Sequence, residues 1–294
     1  MESRDHIYRQ IAAELGTPAY VYDLDLISSR LNALKSALPA ASVRFAVKAN
    51  PQGEVLRLLA AAGAGAEAIT VGELTRALAA GIRPDNIIVG GPAQPRQLRE
   101  LVLSSGAGLV SLDSSSQWDD WQESLDGAGH APGFLVRVNP ALDPRTHRHL
   151  ATGSADSKFG VLPEDAGQLA QKATAAGLFR GFHVHAGSQI GDLGVFQGVL
   201  AVLEPLFDRF GGEVLDIGGG YRVPDFPLDG YADLVGSFAA ARQLQLIIEP
   251  GRWLTAEAGV LLTTVLHVKK GAVNHVIADA GMAADDVVVV AERR

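Results

Sequence analysis

The chain has 294 residues, 47% hydrophobic and 20% charged, with 25 basic against 33 acidic side chains for a formal net charge of −8. That length supports a large buried core, as one big domain or one domain with a small appendage, and an acidic balance without basic runs argues against nucleic acid or an anionic membrane surface as the main partner. With no cysteine, disulfides and thiolate metal sites are excluded; no apolar run approaches the roughly 20 residues of a membrane span, and MESRDHIYRQ lacks the apolar core of a signal peptide, so a cytoplasmic location is expected.

In chain order, TPAYVYD (17–23) is a lone strand signal, read as preceding any helix. From there β-branched runs alternate with Ala/Leu-rich stretches at helical spacing. VRFAVKA (43–49) leads to GEVLRLLAAAG (53–63), AEAIT (66–70) to GELTRALAAG (72–81), and NIIVGG (86–91) to QPRQLRELVLSSG (94–106). GLVSLD (108–113) leads to SSQWDDWQESL (115–125), and GFLVRVN (133–139), after a long excursion, to PEDAGQLAQKATAAG (163–177). RGFHVHAG (180–187) leads to VFQGVLAVLEPLFDRF (195–210), EVLDIGGG (213–220) to YADLVGSFAAAR (231–242), and QLIIEPG (245–251) closes the series. Such alternation reads as βαβ units on a parallel sheet. Eight of them over roughly 210 residues favour a closed (β/α)8, TIM-like barrel over an open doubly wound sheet.

Residues 259–290 hold three more runs, VLLTTVLHV, NHVIADA and DDVVVV. With 17–23 they are expected to build a small, incomplete antiparallel β domain from both chain ends. The expected division is a barrel over 26–258 and a partial β domain from 1–25 plus 259–294.

Functional side chains of such a barrel gather at the C-terminal ends of its strands. That selects Lys48 at the end of the first, His183 and His185 in the sixth with Gly187 and Ser188 behind them, Gly218, Gly219 and Gly220 at the seventh, and Glu249, Pro250, Gly251 and Arg252 at the eighth. Lys48 lies in FAVKANP, where apolar neighbours disfavour its charge; a lowered pKa would make it a good amine nucleophile for Schiff-base chemistry. A strand-end lysine with its head in solvent is the plain alternative. The triple glycine lets backbone amides approach a phosphate, with the following helix N-terminus adding its dipole, although a simple tight turn needs glycine as well. GGGYR is not GxGxxG, so no dinucleotide is indicated.

Glu249 follows an apolar strand and, if buried, needs a partner. Arg252 is near enough in sequence for an ion pair; alternatively, Glu249 keeps a pyridine nitrogen protonated. His185 is either a core histidine or a flat ring stacked on a cofactor. Alternation puts His183 on the same side, so spacing does not choose between them. A zinc reading of the two lacks a third ligand, with neither an HExxH helix nor clustered carboxylates nearby, and no metal is expected. An imine-forming lysine, a phosphate turn, a ring carboxylate and a stacking ring together compose a site for pyridoxal 5′-phosphate (PLP).

With FAVKANP (45–51), ATGSADSKFG (151–160), HVHAGSQI (183–190), DIGGGY (216–221), EPGRWLTAEAG (249–259) and DAGM (279–282), the chain resembles the PLP-dependent, alanine-racemase-like barrel-fold decarboxylases across most of its length. The run RVNP…THRHLATG…DSKFG points to their diaminopimelate decarboxylase branch. The resemblance implies that Lys48 carries the cofactor, His185 stacks on its ring and Glu249 pairs with the ring nitrogen. It also implies phosphate contacts from Ser188, Gly219, Gly220 and the Gly251–Arg252 segment, with Arg252 meeting a substrate carboxylate too. The implied reaction is decarboxylation of meso-diaminopimelate to L-lysine in a homodimer. Two departures stand out: Glu67 replaces the usual aspartate and Val71 a usual glycine, and the family's further C-terminal β domain, with its cysteine, is not found. A shortened chain, a weakened dimer, another amino-acid decarboxylase or racemase, and an inactive PLP-binding remnant are therefore the alternatives.

Overall fold

The computed structural model describes residues 2–142, 157–281 and 288–292. Residues 146–156 of the resemblance motifs, and Met282, lie outside the described residues. The elements in chain order are α1 (Glu2–Leu15), β1 (Ala19–Tyr22), α2 (Leu24–Ala37), β2 (Ser42–Ala46), α3 (Gly53–Ala61), β3 (Gly65–Ala68), α4 (Val71–Ala79), β4 (Ile87–Val89), α5 (Arg96–Ser105), β5 (Leu109–Leu112) and α6 (Ser115–Leu125). They continue with β6 (Gly133–Arg137), α7 (Pro163–Ala175), β7 (Phe179–His183), α8 (Leu193–Phe210), β8 (Val214–Asp216), α9 (Leu228–Ala241), β9 (Gln245–Ile248), α10 (Arg252–Thr255), β10 (Gly259–Lys269), β11 (His275–Ala278) and β12 (Val288–Glu292).

Strands β2 to β9 form a closed parallel barrel in sequence order. It is sealed where β2 meets β9, with Ser42 beside Ile247 and Val43 beside Ile248. Helices follow the strands as the apolar periodicity predicts, and their starts are written in local chemistry. Thr70 accepts the Glu73 amide at 3.2 Å while the Glu73 carboxylate accepts the Ile69 amide at 2.7 Å, a reciprocal cap that opens α4. Ser114 opens α6 by accepting the Gln117 amide.

Residues paired in register across parallel strands share a face of the sheet. Glu67 pairs with Ile88, Ile88 with Leu109, Ser111 with Leu135, Arg137 with His183, and His183 with Asp216. All of these point into the barrel. Ile88, Leu109, Leu135, Val214 and Ile247 form one buried apolar cluster there. Glu67, Ser111, Arg137, His183 and Asp216 in these pairs lie toward the C-terminal ends of their strands, above the apolar layer.

The chain divides into two compact units, Ser28–Trp253, which holds the barrel, and Met1–Ile27 with Leu254–Arg294. In the second unit β1 pairs antiparallel with the first half of β10, and β11 antiparallel with its second half. β12 runs parallel to β10, against the all-antiparallel expectation, because it returns along Val260–Thr264 in the same direction. Asp279, from the DAGM motif, ties this sheet together by accepting from the Thr17 and Thr263 hydroxyls and the Thr264 amide.

Two helices were not anticipated. α1 precedes β1, so 17–23 is not the first element; its half-buried residues Tyr8, Ile11 and Ala12 follow helical spacing within a mostly polar sequence. In α2 the buried stripe is Ile27, Leu31 and Leu34. Among the described residues no helix is long and apolar enough to cross a membrane.

Candidate active site

Strand β2 ends at Ala46, whose amide donates to the Pro250 carbonyl at 3.1 Å, and Lys48 sits just beyond it in a single 3-10 turn, Val47–Ala49. The expectation of Lys48 as the last strand residue is thus corrected by two positions. Lys48 Nζ donates to Glu67 Oε2 at 2.8 Å, reaching from the half-exposed mouth to a buried carboxylate on β3. Burial pulls the ammonium pKa down, but the charge of Glu67 and then of Glu249 outweighs it, and the net shift is upward. The expected lowering of the Lys48 pKa is therefore reversed: the apolar sequence neighbours are not its electrostatic neighbours.

Glu249 is 3% exposed, and its partner is not Arg252, whose Nη2 instead donates to Ser188 Oγ at 2.8 Å. The ion pair anticipated from sequence proximity does not form. Glu249 lies with Asp216 and His183, their ligand-capable atoms within 4.8 Å of one another. Burial and the adjacent Asp216 carboxylate hold the Glu249 carboxyl well above the usual range. Burial likewise pushes Asp216 up to about 7, while the Gly218 amide donates to its Oδ1 at 2.9 Å. Two buried carboxyls so placed each disfavour the other's charge. The missing third ligand of the zinc reading is thereby corrected, since the fold brings carboxylates to His183 that the sequence keeps distant. The same pocket, however, feels the positive charges of Lys48 and Arg137.

The structure separates the two histidines. His183 is buried at the end of β7, with Nδ1 at 2.6 Å from Ser111 Oγ and Nε2 at 3.6 Å from Glu249 Oε2. His185 stands one step nearer the mouth, where its Nδ1 accepts from the Gly219 amide at 3.4 Å. Burial, then the charges of Lys48 and Arg137, bring the His185 pKa down to about 3, so its ring is neutral.

Gly218 and Gly220 have φ of +67° and +90°, and a Cβ on Gly219 or Gly220 would stand 2.2 Å from the carbonyl oxygen of Glu249 or Gly187. The triple glycine is therefore needed to pack the β8 turn against its two neighbours. The helix expected after it over 231–242 is α9, Leu228–Ala241, and an irregular stretch from Tyr221 to Pro227 separates it from the glycines.

One cavity of about 470 Å³ takes in Lys48, His185, Ser188, Gly220, Glu249, Gly251 and Arg252, with Tyr221 and Trp253 in its wall. Gly218, Gly219 and Pro250 are not among the lining residues. Its size is that of a site for a small organic molecule. Sequence reasoning noted Glu67 only as a departure, and missed Ser111, Asp113, Arg137 and Asp216. Arg137 meets Asp113 at 3.3 Å, the Gly160 amide donates to the same Asp113 oxygen at 2.8 Å, and Phe159 lies 4.8 Å from the guanidinium. These residues carried a usable signal, since Arg137 and Asp216 end barrel strands and Asp113 immediately follows one.

Residues 24–256 match the family described as pyridoxal-dependent decarboxylase, pyridoxal binding domain. The chain belongs to this family. Among its relatives, the diaminopimelate decarboxylase of Deinococcus radiodurans is 38% identical over 279 residues, covering 94% of this chain and 71% of that protein. The diaminopimelate decarboxylase of Zymomonas mobilis is 35% identical over 295 residues, covering 93% and 70%. The crystal structure of diaminopimelate decarboxylase from Helicobacter pylori complexed with L-lysine superimposes with a TM-score of 0.86 at 30% identity, covering 94% of this chain and 73% of that one.

Proposed function

We propose that the chain is a PLP-dependent decarboxylase of meso-diaminopimelate, yielding L-lysine and CO2, with PLP attached to Lys48 in a barrel domain spanning 26–258. The observation that supports it most is one cavity with an amine at its mouth and a fully buried carboxylate, Glu249, at its floor. The residues present fit the cofactor. Glu249 Oε1 is buried without a hydrogen-bond partner, and a protonated ring nitrogen is the kind of donor that would satisfy it.

When bound, PLP supplies an electron sink for the pair left behind as the substrate carboxylate departs. The rest falls to side chains. Lys48 provides the attaching amine, and Glu67 holds its proton until attachment. Neutral His185 offers a flat face to the ring. Ser188, Gly220 and Gly251, which line the cavity, are the proposed phosphate contacts, with Gly218, Gly219 and Pro250 shaping the turns behind them. Arg252, oriented by Ser188, can meet either the phosphate or a substrate carboxylate, a partner suited to its planar fork.

Borohydride reduction of the PLP-loaded chain followed by peptide mapping tests the attachment, with a pyridoxyl adduct expected on Lys48. An adduct on any other lysine overturns it. Release of CO2 from meso-diaminopimelate, but not from ornithine or arginine, tests the substrate. The opposite pattern assigns another specificity, and an adduct without CO2 release leaves a PLP-binding protein that is not a decarboxylase.

A homodimer in the cytoplasm is part of the same reading. Leu266, Val268, Val276 and Ile277, exposed on the β10–β11 hairpin, are apolar surface that a second copy would cover. Sedimentation as a monomer at micromolar concentration would refute the dimer.

A further inference from the structure

Below the cavity a buried chain of contacts runs from Ser111 through His183 to Glu249, and nothing in the proposed reaction uses its first two members. Ser111 is fully buried, and among the described residues its hydroxyl has one partner, His183 Nδ1 at 2.6 Å. That settles where the hydroxyl hydrogen goes. Were Nδ1 to carry a proton and donate, the Ser111 O–H would be left buried with no acceptor, at a cost of about 1–3 kcal/mol. Ser111 therefore donates to Nδ1.

The imidazole itself is neutral. Burial, followed by the charges of Arg137 and Lys48, holds its pKa well below the ordinary value. A neutral ring that accepts at Nδ1 carries its hydrogen on Nε2. Nε2 is buried, has no hydrogen-bond partner among the described residues, and faces Glu249 Oε2 at 3.6 Å, just beyond hydrogen-bond length. The register enforces this geometry: His183 pairs with Asp216 on the next strand, and Asp216 with Ile247, two residues before Glu249.

We propose that His183, with its tautomer locked by Ser111, is a positioning residue that aims an N–H at Glu249 Oε2 and thereby favours the ionised carboxylate that holds a protonated pyridine nitrogen. The inference rests on the PLP reading of the cavity. It adds a device that selects the charge state of the ring carboxylate from inside the barrel. His183 touches neither cofactor nor substrate in this role.

Nitrogen-15 NMR of the histidine rings in the PLP-free full chain reads the tautomer directly. The Nε2–H form is expected for His183 in the parent chain and a mixture of tautomers in Ser111→Ala. A second measurement uses His183→Gln, which can still reach Glu249 with an N–H, and His183→Asn, which is too short. Titration with PLP should show His183→Asn binding about tenfold or more weakly and His183→Gln within about threefold of the parent, the scale of one hydrogen bond to a charged group. With a PLP analogue carrying CH in place of the ring nitrogen, all three should bind alike, which a merely structural role for His183 would not produce.

An Nδ1–H tautomer in the parent chain overturns the proposal, as does equal weakening by both substitutions or the same loss with the analogue. If the His183 variants fail to fold, the tautomer measurements on the parent and Ser111→Ala decide alone. Absence of a pyridoxyl adduct on Lys48 in the parent would instead remove the PLP reading, while the NMR result would still stand.

Discussion

Lys48 and Glu67 show how a single contact can reverse an expectation drawn from neighbours in sequence. Ala46 and Val47 make the chain around the lysine apolar, yet its amine donates to a carboxylate oxygen 19 residues away. Replacing Glu67 with glutamine removes that charge and leaves burial to act, so the Lys48 pKa should fall. PLP attachment followed by absorbance against pH should then reach its midpoint at lower pH in Glu67→Gln than in the parent. An unchanged midpoint would mean that Glu67 does not hold the amine.

Asp216 gives a second test at this scale. Its carboxyl is raised from 3.8 to about 7 in the folded chain, first by burial. A carboxyl raised by folding stabilises the native state below its unfolded pKa, and that contribution is lost as pH rises through the folded value. Asp216→Asn keeps an acceptor for the Gly218 amide and cannot ionise. Its thermal midpoint should therefore gain on the parent as pH rises from about 4 to about 7; a variant-minus-parent difference that falls over that range would contradict the assignment.

At the scale of elements, the turns rather than the strands carry the constraint. Gly220 combines φ of +90° with a Cβ position 2.2 Å from the Gly187 carbonyl oxygen, so Gly220→Ala must distort both the β7 and β8 turns. Loss of about 2 kcal/mol or more in urea unfolding is expected, with weakened PLP binding, since the same turns carry Ser188 and His185. Thr70→Ala, which removes only the hydroxyl cap of α4, should cost about 1 kcal/mol and leave PLP affinity unchanged. The two together separate a turn that shapes the site from one that only starts a helix. Helix periodicity was legible where a stripe is broad and apolar, as in α8, where Val195, Phe196, Val199, Leu200 and Leu203 are buried. It was overlooked in α1, where three half-buried residues lie among charged ones.

For the whole molecule, the closed barrel is what makes distant residues neighbours. Lys48, His185, Gly220 and Glu249 come from four strand ends spread over about 200 residues and line one cavity. A ligand that binds only the closed form stabilises it by mass action, so PLP at 100 times its dissociation constant should add about 2.7 kcal/mol to unfolding stability. Lys48→Ala should lose most of that gain at the same cofactor concentration, each chain being measured against its own unfolding without cofactor. Equal stabilisation of both chains would place the cofactor elsewhere.

What the sequence determined by itself was the order of strands and helices, and with it the barrel, because hydrophobic periodicity and strand–helix alternation are local properties. Strand-end position also nominated Lys48, His185, Ser188, Gly220, Glu249, Gly251 and Arg252, all of which line the cavity. Only the tertiary structure decided the partners: Glu67 for Lys48, Ser188 for Arg252, and Asp216 with His183 for Glu249. Charge states followed those partners, since a pKa answers to burial and to charges a few ångströms away in space. Proximity in the chain had offered Glu249 an arginine; the barrel gave it a second carboxyl and a neutral histidine.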